Sequence, residues 1–315
     1  MALVFGRLSL DKKYASFRLR FSLTVSVFFS IITQEINFFN IEVNALSPEI
    51  LICPVCGKIL GENETAFCCT DGHSFDKAKE GYVNLLAGNH KSGALIGDNK
   101  SMAFLRRDFL NKGYFAPLAD EIVSQIKKTE AEKPVLLDIC CGEGYYSRKV
   151  IENTDGVLFG FDISKAMVRL AAKRKTGGTF FVANLSHIPL KDNSIDFAFH
   201  LFAPFHEKEF ARVLKPGGTL VTVIPGANHL FEMKKALYED PYKNDEKLPG
   251  TDILRLCDVV RVKDEITLPD KADINALFGM TPYYYKTSPS DRQKLESLDR
   301  LTTRTEFVAA VYRKI

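Results

Sequence analysis

From Pro134 onward the chain alternates short apolar runs with helix-length amphipathic segments, and this alternation limits the fold more than any other feature. VLLDI is followed by YYSRKVIEN, and VLFGFD by SKAMVRLAAKRK; after TFFVAN, SIDFAFHLF leads into EKEFARVLK and then GTLVTVIPG. Each apolar run is long enough for a strand and too short for a helix. The segments between them are long enough to cover both faces of a sheet, so the pattern predicts an α/β fold built on a parallel sheet. RVKDEITL and TEFVAAVYRK add strands near the C-terminus, separated by a long segment containing LPDKADINALFGM. Neither an internal repeat nor a heptad pattern is present.

The stretch LLDICCGEGYYSRKV, residues 136–150, reads as a strand entering a glycine turn that opens a helix. Gly142 and Gly144 let the backbone pass close to a ligand where a side chain would collide, and Tyr145 begins the helix. Asp138, at the strand's end, is placed to accept hydrogen bonds from a cationic amino group. Asp162 closes VLFGFD, 24 positions later, where a second strand presents a carboxylate to ribose hydroxyls. Asn184 and Leu185 follow the third strand and suit the edge of an adenine ring. A nicotinamide-type dinucleotide site is the alternative reading of this turn.

Upstream, CPVCGKILGENETAFCCTDGH (residues 53–73) concentrates four of the seven cysteines. Cys53 and Cys56 form a C-x2-C knuckle, and Cys69 and His73 a C-x3-H turn. These spacings allow one zinc ion to be held tetrahedrally with no open position, which makes the metal structural. Cys68 competes with Cys69, but Cys69 leaves the short loop TDG before the histidine. So short a segment buries little apolar surface, and the ion is expected to supply much of its stability. A redox dithiol or coincidental core thiols is the alternative.

An odd cysteine count with metal-type clustering points to a reducing, cytoplasmic compartment rather than a disulfide framework. The 42 basic and 39 acidic side chains leave a formal charge of +3, so there is no strongly basic footprint to advertise nucleic acid. FSLTVSVFFSII, residues 21–32, follows the basic stretch DKKYASFRLR and has the outline of a signal peptide, with VNALS as a poor cleavage site. The run is too short to span a bilayer, and export would oxidise the thiolates, so it is read as an upstream extension. The expected organisation is an extension over 1–47, a zinc-binding domain over 48–86, a linker with bridging helices over 87–133 and a cofactor domain over 134–315. The linker includes the Gly, Asn and Lys-rich AGNHKSGALIGDNKS.

The order of motifs from 134 to the C-terminus, including ARVLKPGGTLV, resembles the class I S-adenosylmethionine-dependent methyltransferases. That resemblance implies a Rossmann-like, seven-stranded sheet whose last strand, supplied by TEFVAAVYRK, is antiparallel, with a small zinc-ribbon-like domain in front. It departs from the family at Cys140, where glycine is usual. With CPVCGKIL, FDKAKEGYVNLL, GDNKSMAFLRRDFL, FAPFHEKEFARVLKPGGTLVTVIPGANHLFEMK and MTPYYYK in sequence, the chain resembles the RlmA-type 23S ribosomal RNA (guanine-N1)-methyltransferases from about residue 50 onward.

This resemblance implies methyl transfer from S-adenosylmethionine to N1 of a guanine in a 23S rRNA hairpin, a zinc unit that assists RNA recognition, and a homodimer with no membrane partner. It places Phe202, Ala203 and Pro204 at the target-base pocket and assigns His229 and Glu232 to the family's histidine and glutamate. Helix capping or packing for His229, and an ordinary salt bridge for Glu232, are the competing readings. His187, His200 and His206 have no recognisable partner. Arg106 and Arg107 are candidates for phosphate contact or a solvated helix face, and Tyr283, Tyr284 and Tyr285 for a partly buried strand or for base stacking. The rival functions are a small-molecule methyltransferase, which the zinc unit argues against, and an inert rRNA-binding protein, which a blocking Cys140 side chain would favour.

Overall fold

The structure, a computed structural model, describes residues 49–86 and 100–315. The extension expected over 1–47 and nearly all of the Gly, Asn and Lys-rich connection lie outside the described residues.

A small antiparallel sheet is formed by β1 (Gly61–Glu62), β2 (Ala66–Cys68) and β3 (Ser74–Asp76). The large sheet contains β4 (Val83–Asn84), β5 (Val135–Ile139), β6 (Val157–Asp162), β7 (Thr179–Val182), β8 (Ile195–Leu201), β9 (Leu214–Pro225), β10 (Leu254–Leu268) and β11 (Leu301–Lys314). Their order is β10-β11-β9-β8-β5-β6-β7-β4. Strands β4 to β9 pair in parallel, whereas β11 runs antiparallel to both β9 and β10.

The expected seven strands are therefore eight among the described residues. The extra one, β4, comes from the end of the zinc segment and pairs its two residues with Phe181 and Val182. Left alone, β7 would expose an unpaired edge, which a short added strand covers.

Strand order reverses across β5, because β6 and β7 lie on one side and β8 and β9 on the other. Such a switch point opens a crevice at the carboxyl ends of the strands. The central strands are apolar nearly throughout because helices or loops cover both faces. Alternate side chains divide between two cores: Leu136, Leu158, Phe180, Phe197 and Val221 face one, and Leu137, Phe159, Phe181, Ala198 and Leu220 the other.

The first face is covered by α1 (Lys100–Asn111), α2 (Ala116–Ile126) and α3 (Tyr145–Asn153), with α4 (Lys165–Lys173) also contributing. Helix α2 has a proline in its first turn and buries Leu118, Ala119, Ile122, Val123 and Ile126, the stripe its spacing dictates. On the other face lie α5 (Glu207–Val213) and the zinc segment. The remaining helices are α6 (Phe231–Leu237), α7 (Lys271–Gly279), α8 (Tyr283–Lys286) and α9 (Pro289–Glu296). Asp270 and Ser288 cap α7 and α9 by accepting from the Asp273 and Asp291 backbone N–H groups. Tyr283, Tyr284 and Tyr285, expected on a strand, instead form α8, and only Tyr283 is fully buried.

The zinc segment is built into the second core. Ile50, Leu51, Leu60, Phe67, Val83 and Leu85 share it with Leu137, Phe161, Leu190 and Phe210. Backbone bonds from Ile52 N–H to the Pro189 carbonyl and from Lys191 N–H to the Ile50 carbonyl, both at or below 3.0 Å, fasten it there. Each such buried side chain contributes about 1.5–3 kcal/mol, so the segment draws on the main core as well as on any metal. Among the described residues no helix is long and apolar enough to cross a membrane.

Candidate active site and metal centre

Cys53, Cys56, Cys69 and His73 come together with their ligand atoms all within 4.8 Å of one another. The Cys56 and Cys69 sulfurs are 3.6 Å apart, and Cys69 Sγ lies 3.3 Å from His73 Nδ1. Ligands about 2.3 Å from a tetrahedral zinc sit about 3.7 Å apart, so the set fits that ion. Two turns produce it: Gly57 N–H bonds to the Cys53 carbonyl, and Gly72 N–H to the Cys69 carbonyl. Cys68 points elsewhere, with its sulfur 3.4 Å from Ser74 Oγ. Its strand position gives it the opposite face from Cys69.

At the carboxyl end of β5 the chain turns sharply into α3. Cys140 adopts φ 59°, Gly142 φ 55° and Gly144 φ 81°, all left-handed. A Cβ on Gly142 would project into open space, which leaves the floor in front of the turn clear. One on Gly144 would lie 2.8 Å from the Ala171 Cβ, so glycine there allows the turn to sit on α4. Cys140 occupies a conformation that disfavours any side chain by roughly 1–2 kcal/mol.

Three carboxyl groups converge on this turn. Asp138 is 2% exposed and takes a 2.5 Å hydrogen bond from the Ser147 hydroxyl. Burial above all, with the charges of Asp162 and Glu143 added, pushes its pKa up to about 7 against the pull of Ser147. Asp162 accepts from the backbone N–H of Gly142 at 3.1 Å and of Ser164 at 2.8 Å. Glu143 is buried, its Oε2 ion-paired with Arg174, while its Oε1 has no hydrogen-bond partner. An excess of buried acid beside open backbone suits a cationic nucleoside such as S-adenosylmethionine. The same acids would repel the pyrophosphate of a dinucleotide. Asn184 holds its own turn, its Oδ1 accepting from the Ser186 N–H and hydroxyl at 3.0 Å, and Leu185 packs half-buried on the second core. Tyr145 is buried against Tyr146 in an edge contact at 5.1 Å.

Next to this turn, at the same rim, lies a cavity of about 370 Å³. Phe202 and Ala203 enter it from the end of β8, Ile224 and Pro225 from β9, and His229 from the loop before α6. Helix α1 adds Arg106, Phe115 follows it, and the segment after α7 adds Met280, Thr281 and Tyr283. Phe202 is 44% exposed and has φ 55°, and Leu230, which also lines the cavity, has φ 55° too. Left-handed non-glycine residues thus flank the turn and the cavity, as strain at functional sites often does.

His229 is 8% exposed and packs against Phe115 and Phe307, which also touch each other. Burial, together with the nearby Lys234 charge, pulls its pKa down to about 3. Its Nδ1 accepts the Glu306 backbone N–H, which assigns the ring proton to Nε2. Two expected members of this site stand outside it. Glu232 does not line the cavity: burial opposes ionisation, but hydrogen bonds from Arg304 hold its carboxyl down at about 2, in a forked ion pair. Pro204 also does not line it, its carbonyl taking a 3.0 Å bond from His200 Nε2, so His200 does have a partner.

Sequence reasoning missed Phe115, Thr281 and the Ser147 contact with Asp138. MTPYYYK was a legible pointer to Thr281 and Tyr283; nothing local marked the other two. A larger cavity of about 530 Å³, lined by Lys128, Asp196, Lys215 and Arg313, lies at the opposite rim and does not touch the acid cluster.

Residues 51–93 match the family described as RlmA, N-terminal, and residues 137–222 the family described as Methyltransferase domain. A 23S rRNA (guanine(748)-N(1))-methyltransferase of Streptomyces fradiae is 35% identical over 59% of this chain and 67% of its own. A Bacillus subtilis protein, YxjB, whose name assigns it provisionally to 23S rRNA guanine-N1 methylation, is 30% identical over 77% of this chain and 89% of its own. A Micromonospora griseorubida protein, named in the same provisional way, is 31% identical over 58% of this chain and 68% of its own.

Proposed function

This chain belongs to the 23S rRNA (guanine-N1)-methyltransferase family, and from that membership we propose that it methylates N1 of a guanine in a 23S rRNA hairpin. The observation that carries the proposal is the aromatic cavity beside the acid-lined turn, with Phe202 exposed at its mouth for stacking on an extruded base.

S-adenosylmethionine, when bound, supplies a methyl group on a sulfonium that is already a good leaving group. Asp138 and the free Glu143 oxygen balance its positive charge, Asp162 receives the ribose hydroxyls, and the backbone at 183–185 borders the adenine. His229 keeps its Nε2 proton at neutral pH and acts as a donor to the base rather than as a base itself. The chain's work is then positioning: a flat purine held between aromatic walls, with water kept out by the half of the cavity made from α1 and the segment after α7.

The zinc segment is assigned to RNA recognition, and the active form to a homodimer in the reducing cytoplasm. Leu256 and Val259, exposed on the outer edge strand β10, are the kind of surface a second copy would cover. The test is primer extension on 23S rRNA from cells with and without the gene, because N1 methylation blocks base pairing. A stop that appears only with the gene supports the reading, and identical stop patterns would end it.

A further inference from the structure

Lys234, on α6, has no exposed surface. Taking an ammonium out of water is costly unless its donors are met inside the protein, and the partners of this one are specific. Its Nζ donates to the Tyr242 carbonyl at 3.0 Å and to Asn244 Oδ1 at 2.6 Å. It also lies over the rings of Tyr242 and Tyr283, 4.3 and 5.2 Å from their centroids. Burial draws its pKa below the ordinary lysine value.

Asn244 passes this anchorage on to the cavity. A lysine donates and a carbonyl accepts, so the amide has one possible orientation: Oδ1 faces Lys234, while Nδ2 donates to the Gly226 carbonyl at 2.8 Å and the His229 carbonyl at 3.3 Å. The Asn244 backbone N–H bonds to the Ala227 carbonyl at 3.0 Å, and the Tyr283 hydroxyl donates to Asn244 Oδ1 at 3.3 Å. One residue therefore grips both the loop that presents His229 and the ring of Tyr283, and His229 and Tyr283 both line the cavity. Lys234 stands behind these walls and does not itself line it.

We propose that Lys234 is a positioning residue for methyl transfer: acting through Asn244, it sets how far apart the His229 and Tyr283 walls stand and so holds a guanine with N1 toward the methyl group. This rests on the guanine-N1 reading above. In-line transfer needs the attacking nitrogen and the methyl carbon roughly 3–3.5 Å apart and aligned. A wall that yields by about an ångström slows such a step by about 10²-fold and leaves binding nearly as it was.

The segment that carries Asn244, residues 238–253, is irregular throughout, and it is tied down at other points. Glu246 accepts the Ala227 N–H at 2.6 Å and is ion-paired with Arg261 of β10. The Pro249 carbonyl accepts from the Tyr312 hydroxyl at 2.8 Å, and the Thr251 hydroxyl donates to Glu207. On the loop's other side, Asn228 donates its backbone N–H and its amide to Glu306. Loss of the lysine contact thus loosens the grip of Asn244 without releasing the segment or the loop.

The experiment is single-turnover methylation of a 23S rRNA hairpin by the full chain with zinc and saturating S-adenosylmethionine, with enzyme in excess and its concentration varied. Cofactor affinity is measured alongside by calorimetry. Lys234→Met should lower the limiting rate by roughly 10- to 100-fold, with the half-saturating concentration and the cofactor affinity within a few-fold of wild type. Asn244→Asp keeps an acceptor for Lys234 and Tyr283 but cannot donate to the loop; it should lose a similar factor, and it carries the test if the methionine variant does not fold. The double variant should be no slower than the slower single one, because both changes break the same chain of contacts. Rate losses that multiply, or that appear as weaker hairpin or cofactor binding, or single variants with the wild-type limiting rate, would overturn the role of Lys234 alone. Wild-type protein that makes no 1-methylguanine would overturn the substrate reading and this role with it.

Discussion

The Nδ1 of His229 accepts the backbone N–H of Glu306 at 3.3 Å, across 77 positions of sequence. The contact ties the loop before α6 to strand β11 and fixes a buried, neutral imidazole at the wall of the cavity.

Its cost appears on acidification. The unfolded chain protonates His229 and His200 below about 6.5, whereas the folded chain resists until about 3 and about 4, burial being the main cause in each. Between those limits the unfolded state binds more protons, so stability falls as pH drops. Asp138, whose folded pKa is raised, acts in the opposite direction over part of this range, so the check is a comparison. Urea midpoints should fall more from pH 7 to pH 5 in the wild type than in His229→Gln, and nitrogen NMR of the imidazoles should show His229 as the Nε2–H tautomer at both. A His229 that titrates near 6.5 would contradict the burial described.

Asp138 gives the cofactor site a different pH dependence. In the free protein its pKa is about 7, and a cation bound beside it favours the ionised form. Binding therefore expels a proton below that pH. Affinity for S-adenosylmethionine should weaken below pH 7, by at most tenfold per unit for one proton, and be flat above it. Calorimetry on Asp138→Asn should show weaker binding without that slope.

Cys140 holds a left-handed backbone with a side chain attached. Cys140→Gly removes that strain but frees the unfolded chain. The expected net gain is up to about 1 kcal/mol in unfolding free energy, with cofactor affinity equal or better. A loss of stability would show that the thiol's packing outweighs its conformation.

The metal centre separates two adjacent cysteines. Cys69→Ser should lose zinc and RNA methylation, while Cys68→Ser, whose sulfur faces Ser74, should keep both. Metal content by mass spectrometry checks this, and retention of zinc by the first variant would break the proposed ligand set.

Strands β5 to β9 were legible because burial on both faces leaves little room for polar residues, and Asp138 and Asp162 because carboxylates at strand ends stand out against such runs. The zinc ligands were legible because all four fall within 21 consecutive residues, Cys53 to His73. What escaped is non-local. Glu232 meets Arg304 from 72 positions away, and nothing in either neighbourhood marks the pair. Phe115 and Arg106 reach the cavity from segments whose pattern reads only as bridging helices. Strand β4 has two residues and exists because β7 needs a neighbour. The three tyrosines carry strand propensity, but a proline before them and a buried first ring favour a single helical turn.

The docking of the zinc segment sets an order of assembly. Its metal-binding turns close on neighbours a few residues away, but Ile50, Ile52 and Val83 also bond to the stretch 181–191. During translation the ion can therefore be captured long before the sheet edge it will lean on has been made. The clip waits on the nascent chain with its apolar side uncovered, and supplying metal late would leave that side exposed to aggregation for longer.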